Sequence, residues 1–229
     1  MSGAKRIQRA IRARLLMAAS AWSPHPIYPS FGWGAGTPVD RYYIDAFLAR
    51  NAGSIRGSVL EIGDRAYTER FGGRNVTASA VLSAVPTNDP DTIVADLSDA
   101  RAIPDDTYDC VILTQTLHYV FDMRAAVAEL HRILRPNGVA LITVPGISQI
   151  STWDMERWGD RWRLTDLALR ELLQTCFAAG DIDVDTFGNA ASAVAFLEGI
   201  PVESLSARVL DRTNAEYQVL VTAVARKHA

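Results

Sequence analysis

The side chains able to do chemistry in this sequence sit where apolar runs end. Ser58-Val59-Leu60-Glu61-Ile62-Gly63-Asp64 closes a buried-strand pattern on two acids and a glycine. A glycine there lets a ligand approach the backbone with no Cβ in the way, and the Glu61 carboxylate accepts from a cationic or hydroxyl-bearing group. The competing reading is an ordinary strand-to-helix turn with solvated acids. A second run, Tyr108-Asp109-Cys110-Val111-Ile112-Leu113-Thr114-Gln115, is followed closely by His118. An imidazole takes a proton near neutral pH, so His118 is the candidate general base; alternatively it fills space beside Tyr119 at a helix start.

Two further segments offer substrate contacts. Arg41, Tyr42 and Tyr43 fall on the first turns of a helix, where they either face a substrate, with Tyr42 nearest the chemistry, or pack that helix. Trp153-Asp154-Met155-Glu156-Arg157-Trp158-Gly159-Asp160-Arg161-Trp162-Arg163 lies after the fifth strand and should overhang the pocket. Tryptophan faces bind sugar rings or aromatics and arginines pair with phosphate or carboxylate, which makes Trp153, Arg157 and Trp158 candidates. The same residues also suit a lid whose aromatics pack on the loop from Trp22 to Gly36.

These residues must be held by a scaffold, and the composition bounds it. With 229 residues, 48% of them hydrophobic, the chain can bury one substantial core. The net charge of -3 hides an asymmetry, because Lys5, Arg6, Arg9, Arg12 and Arg14 precede the first acid, Asp40. The acidic body argues against a general nucleic-acid-binding surface. Cys110 and Cys176 stand far apart, which suggests a reduced, cytoplasmic protein. No apolar run is long enough to span a bilayer, and the opening residues lack the apolar core and cleavage site of a signal peptide. The histidines His25, His118, His131 and His228 show no ligand spacing, so no metal site is expected.

In chain order, residues 4–21 read as a basic amphipathic helix carrying Ile7, Ile11, Leu15 and Leu16 on one face. That helix packs on its own domain, caps the site, contacts a second copy in a homodimer, or lies on an anionic surface. Residues 22–36 are dense in aromatics, prolines and glycines and should fold over a cleft. Residues 1–36 thus form a cap or lid and 37–229 a single domain. Thr37 is the expected N-cap of the next helix, with Pro38 in its first position. Strands are expected over 58–64, 76–82, 92–97, 108–115, 139–144, 183–187 and 217–225, and helices over 67–71, 123–134, 165–177 and 190–197, with 147–163 irregular. Strands alternating with helices predict an α/β fold with a seven-stranded, mostly parallel sheet, its last strand antiparallel, and helices on both faces.

Asp96-Leu97, Ile103-Pro104, Tyr108-Asp109-Cys110-Val111-Ile112, Leu117-His118-Tyr119-Val120 and Leu130-His131-Arg132-Ile133-Leu134-Arg135-Pro136-Asn137-Gly138-Val139 form a succession that resembles the class I S-adenosylmethionine-dependent methyltransferases, Rossmann-like enzymes, in the branch that methylates small molecules. Residues 36–43 and 61–68 further resemble a bacterial subgroup associated with carbohydrate and natural-product pathways. The resemblance implies that S-adenosyl-L-methionine is the cofactor. It implies that Glu61 and the backbone around Gly63 hold its amino and carboxylate ends, that Asp96 accepts from the adenine amino group, that Leu97 covers the ring, and that Thr114 and Gln115 line the methionine end. Two departures stand out. The usual three alternating glycines give way to Asp64, Arg65, Ala66 and Tyr67 after Gly63, and the second strand ends in no acid for the ribose, leaving Ser79 or Asp64 as substitutes.

Three functions compete. The first is methyl transfer to oxygen, nitrogen or carbon of a small molecule. The second is a methyltransferase fold that has lost catalysis and serves as a binding or assembly partner. The third, a nicotinamide-dependent dehydrogenase, lacks its three-glycine fingerprint and following acid. The Asn-Pro-Pro-Tyr type motif of nucleic-acid base methylation is absent where Thr114-Gln115-Thr116-Leu117 stands.

Overall fold

The computed structural model describes Ile11, Leu15, Ala18 and residues 23–228. The basic amphipathic helix expected over 4–21 therefore lies outside the described residues, apart from Ile11, Leu15 and Ala18, which are helical.

Seven strands form one sheet: β1 (Gly57–Ile62), β2 (Val76–Ser83), β3 (Thr92–Val94), β4 (Tyr108–Thr114), β5 (Leu134–Pro145), β6 (Ile182–Phe187) and β7 (Leu220–Arg226), in the order β3-β2-β1-β4-β5-β7-β6. β1 to β5 run parallel, and β7 is antiparallel to both β5 and β6. The central strands read as near-continuous apolar runs because both faces of the sheet are covered. Along β1 and β4 the side chains alternate between two cores. Leu60, Val111 and Leu113 pack with Val127, Leu130, Leu169 and Leu173. Val59, Cys110 and Ile112 pack with Ile44, Phe47, Leu48 and Phe196.

The covering helices follow from apolar spacing and caps. On one face lie α2 (Met123–Ile133) and α4 (Asp166–Leu173), and on the other α1 (Val39–Arg50) and α5 (Ala190–Leu197). α2 buries Ala126, Val127, Leu130 and Ile133 along one stripe, and the Asp122 carboxylate caps it by accepting from the Ala125 N–H at 3.0 Å. Between α1 and α2 the chain runs outward through β2 and β3, then returns to β4 on the other side of β1. The tips of β1 and β4 therefore part at a topological switch point, where open α/β sheets bind their ligands.

The structure corrects four local expectations. Pro38, not Thr37, is the N-cap of α1; the Thr37 hydroxyl is drawn away to donate to Glu203 Oε1 at 2.7 Å. β3 ends at Val94, and Asp96 instead caps the short turn Leu97–Asp99. The stretch 147–163 is not wholly irregular, since α3 (Thr152–Arg157) forms with the Ser151 hydroxyl accepting from the Asp154 N–H. Its Trp153 and Met155 are both exposed, so it shows no apolar period to read. A further short helix, α6 (Ala207–Leu210), escaped the sequence reading altogether.

Residues 23–36 form a strap clamped to the turn after α5. A Cβ on Gly32 would lie 2.1 Å from the Gly199 carbonyl oxygen, and the Tyr28 N–H donates to the Glu198 carbonyl at 3.0 Å. Glycine at both contacts is what lets the two backbones come this close.

Candidate active site

Two cavities open at the carboxyl edge of the sheet, and Tyr119 belongs to the wall of both. The larger, about 720 Å³, lies over the tips of β1, β2 and β3. The other, about 580 Å³, lies between the strap and the segment after β5. Both have the size of a small-molecule site.

In the larger cleft, Gly63 takes φ +95° and a Cβ added to it would meet nothing within 4 Å. The backbone is thus open to a ligand where a side chain would intrude. Asp96 offers a carboxylate whose two hydrogen bonds, from the Ser98 N–H at 2.8 Å and the Ser98 hydroxyl at 2.7 Å, both fall on Oδ1. Oδ2 therefore keeps acceptor capacity toward an amine. Leu97 is buried beside it, and Ser83, Ala84 and Val85 line the end of β2. A flat ring against Leu97, an amino group at Asp96 and close backbone contact at Gly63 fit a nucleoside joined to an amino acid. Ser83 is the polar group at the end of β2; sequence reasoning passed over it because the strand runs one residue further than its apolar pattern. Neither Ser79 nor Asp64 lines the cleft. Asp64 instead accepts from the Ala66 N–H at 2.8 Å. The loop after Gly63 is held by Arg65, which donates from Nε to Asp89 Oδ2 at 2.6 Å and reaches Asp91 Oδ2 at 3.2 Å.

Glu61 lies in the wall of neither cavity. It is 1% exposed and accepts from the Tyr67 N–H (3.1 Å), the Thr68 N–H (2.7 Å) and the Thr68 hydroxyl (2.7 Å). Burial pushes its carboxyl pKa up, against the pull of the Thr68 hydrogen bonds. Its carboxylate organises the turn after β1. Thr114 also lines neither cavity, whereas Thr116 lines the cleft. Gln115 lines the smaller cavity at φ +46°, a strained backbone for a side-chain-bearing residue, with its N–H donating to the Thr143 carbonyl at 2.9 Å. Glu61, Asp96 and Gln115 therefore do not converge on one crevice: Asp96 and Gln115 stand on either side of Tyr119, and Glu61 lies behind.

The smaller cavity is lined by polar and aromatic side chains. Asp40, Arg41, Gln115, His118, Tyr119, Asp154, Asp160 and Arg163 line it together with Phe31, Trp33, Pro145, Ile150 and Trp153. His118 is 4% exposed, and its Nε2 lies 4.0 Å from Asp160 Oδ1. Burial lowers its pKa to about 3, with the Asp160 charge opposing, so the imidazole is neutral at neutral pH. Asp160 is held by Arg163 Nη2 at 2.8 Å and by the Ser151 N–H at 2.9 Å. Burial raises the Asp40 carboxyl pKa, with Arg41 beside it opposing. Burial also raises the Tyr119 pKa, reinforced by Asp154.

Of the expected substrate contacts, Arg41 and Trp153 line this cavity, whereas Arg157 and Trp158 overhang the larger cleft. Tyr42 and Tyr43 line neither. The Tyr42 hydroxyl donates to Asp211 Oδ1 at 2.7 Å, and Tyr43 is buried in the core, stacked on Phe187. Both belong to the packing of α1, the alternative left open by their sequence. Asp160 and Arg163 lie in the segment expected to overhang the pocket and do line this cavity, though neither was singled out there; Asp40 was missed, since a charged residue in a helix's first turn gives no local sign of burial.

A sheet in the order 3-2-1-4-5-7-6, with one antiparallel strand and a ligand-sized cleft over the first strand tips, is the fold of the class I S-adenosylmethionine-dependent methyltransferases. Residues 62–142 match a protein family described as a methyltransferase domain. No curated protein matches the sequence. Among solved structures, the chain is similar to an S-adenosylmethionine-dependent methyltransferase from Archaeoglobus fulgidus at 13% identity and TM-score 0.55, covering 82% of this chain and 94% of that one. It is similar to the [4+2]-cyclase SpnF at 17% identity and TM-score 0.55, covering 97% and 94%. The N-methyltransferase NodS from Bradyrhizobium japonicum, in complex with S-adenosyl-L-homocysteine, is 14% identical with TM-score 0.51, covering 83% and 88%. At these identities the likeness is one of fold. Among the described residues no helix is long and apolar enough to cross a membrane, and no cluster of three or more His, Cys, Asp or Glu could hold a metal.

Proposed function

We propose that the protein is an S-adenosylmethionine-dependent methyltransferase acting on a small molecule. The observation that carries this reading is the pair of cavities meeting at Tyr119, one suited to a nucleoside joined to an amino acid and one walled by polar and aromatic side chains. When bound, S-adenosylmethionine supplies a methyl group already activated by its sulfonium. Asp96 Oδ2 and Leu97 would hold the adenine, Ser83 the ribose hydroxyls, and the backbone at Gly63 with Thr116 the amino-acid end. Little covalent help is needed from the protein, whose task is to align a nucleophile and exclude water. Trp158 and Arg161 cover the cleft, and the strap with α3 covers the acceptor cavity. His118, neutral and so able to accept, and Asp40, whose buried carboxyl gains affinity for a proton, are the groups placed to receive hydrogen from the acceptor. The acceptor is a sugar or natural-product intermediate met in the cytoplasm, a reading supported by the aromatic lining, the free Cys110 and Cys176, and the absence of a base-methylation motif.

Titration calorimetry with S-adenosyl-L-homocysteine tests the reading: binding is expected for the wild type and loss of about tenfold or more in affinity for Asp96→Ala. No heat of binding by the folded protein would sink it. A second reading, a methyltransferase fold working without methyl transfer, is favoured by the fold's likeness to a protein named as a [4+2]-cyclase and by the replaced glycine loop. It predicts that Asp96→Ala leaves the cellular role intact.

A further inference from the structure

Three residues that line the smaller cavity each hold a buried hydrogen-bonding atom that the protein itself does not satisfy. Asp40 Oδ1, His118 Nδ1 and Arg163 Nε are buried without a partner. A buried polar group left unpaired is destabilising, so three beside one cavity need an explanation. Their chemistry is specific. A carboxylate oxygen only accepts and an arginine Nε–H only donates. For the neutral His118, Asp160 beside Nε2 favours the tautomer with its proton there, which leaves Nδ1 an acceptor.

Two acceptors and one donor suit hydroxyl groups, each of which can do both. A phosphate or carboxylate would set its lone pairs against Asp40 and His118. Arg41 is no free anion receptor either, because Asp40, the Tyr67 hydroxyl and the Trp33 ring already draw on its guanidinium. Phe31, Trp33 and Trp153 also line the cavity, and Trp33 and Trp153 are exposed.

We propose that this cavity binds a neutral acceptor with neighbouring hydroxyl groups, donating to Asp40 and His118 and accepting from Arg163, and with an apolar substituent against Phe31, Trp33 and Trp153. The inference rests on the methyltransferase reading for the cavity's role and extends it to the class of acceptor.

The test is calorimetric titration, with and without S-adenosyl-L-homocysteine, of three 4-nitrophenyl glycosides (gluco, galacto and manno) against 4-nitrophenyl phosphate. At least one glycoside is expected to bind about tenfold or more tightly than the phosphate, and Asp40→Asn to weaken it by about tenfold. Asp40→Asn should keep its far-ultraviolet circular dichroism and its affinity for S-adenosyl-L-homocysteine, which binds the other cavity. If that variant does not fold, Arg163→Lys, which keeps the charge beside Asp160 but lacks the Nε–H, reads the same subsite. Phosphate binding as tightly as the glycosides, binding of no glycoside, or glycoside affinity unchanged in a folded variant overturns the proposal. Failure to bind S-adenosyl-L-homocysteine would strike the methyltransferase reading instead, and the glycoside titrations would still judge the subsite.

Discussion

His118 Nε2 and Asp160 Oδ1 stand 4.0 Å apart with both side chains buried, and Arg163 already holds the Asp160 carboxylate. The imidazole is therefore kept neutral by burial rather than charged by its acidic neighbour. Its pKa falls from 6.5 to about 3 on folding. The unfolded chain thus binds a proton that the folded chain refuses. This contribution to stability is fully present above about pH 6.5 and is lost as pH falls toward 3, by an amount on the order of a few kcal/mol. Urea unfolding at about pH 7 and about pH 5 should show wild-type stability dropping more than that of His118→Gln. Equal drops would mean that His118 does not titrate in this way.

Gly63→Ala separates ligand space from folding. At φ +95° an alanine costs roughly 1 kcal/mol, and its methyl group projects into the open cleft without touching protein. A melting temperature only a few degrees lower, with affinity for S-adenosyl-L-homocysteine reduced by about tenfold or more, is expected. Retained affinity would place the ligand elsewhere.

Arg65 ties the rim after β1 to the rim before β3 through Asp89 and Asp91. This two-sided clasp stands where a glycine-rich loop would otherwise follow the strand. Exposed ion pairs contribute little, but a bidentate arginine adds geometry, so Arg65→Ala should change stability by less than about 1 kcal/mol. Its affinity for S-adenosyl-L-homocysteine should fall several-fold and lose some of its salt dependence. Calorimetry at low and high salt decides, and identical affinities for the variant and wild type would remove the clasp from the binding site.

Glu61 should behave as a structural acid. Removing its three hydrogen bonds in Glu61→Ala leaves the Thr68 hydroxyl and two N–H groups unsatisfied and should cost about 2–4 kcal/mol in chemical denaturation. Measured well below its melting temperature, the variant should lose less affinity for S-adenosyl-L-homocysteine than Asp96→Ala. The reverse order would return Glu61 to direct ligand contact.

What the sequence determined by itself was the sheet and its ligand-binding edge. Apolar runs such as Val59-Leu60 and Cys110-Val111-Ile112-Leu113, separated by helical spacing like that of Val127, Leu130 and Ile133, imply a doubly covered parallel sheet because each run is stabilised by burial along its own length. Gly63, Asp96, Gln115 and His118 were legible for the same reason, since they end or follow such runs and so must lie at the sheet's edge. Only the tertiary structure decided which of these groups meet. Tyr42 bonds Asp211, Glu61 turns back to Thr68, Asp160 comes to His118 from beyond β5, and Tyr119 divides two cavities. Local periodicity reports which face of an element is buried; it holds no information about which distant side chain shares that burial, and the chemistry of this site depends on those pairings.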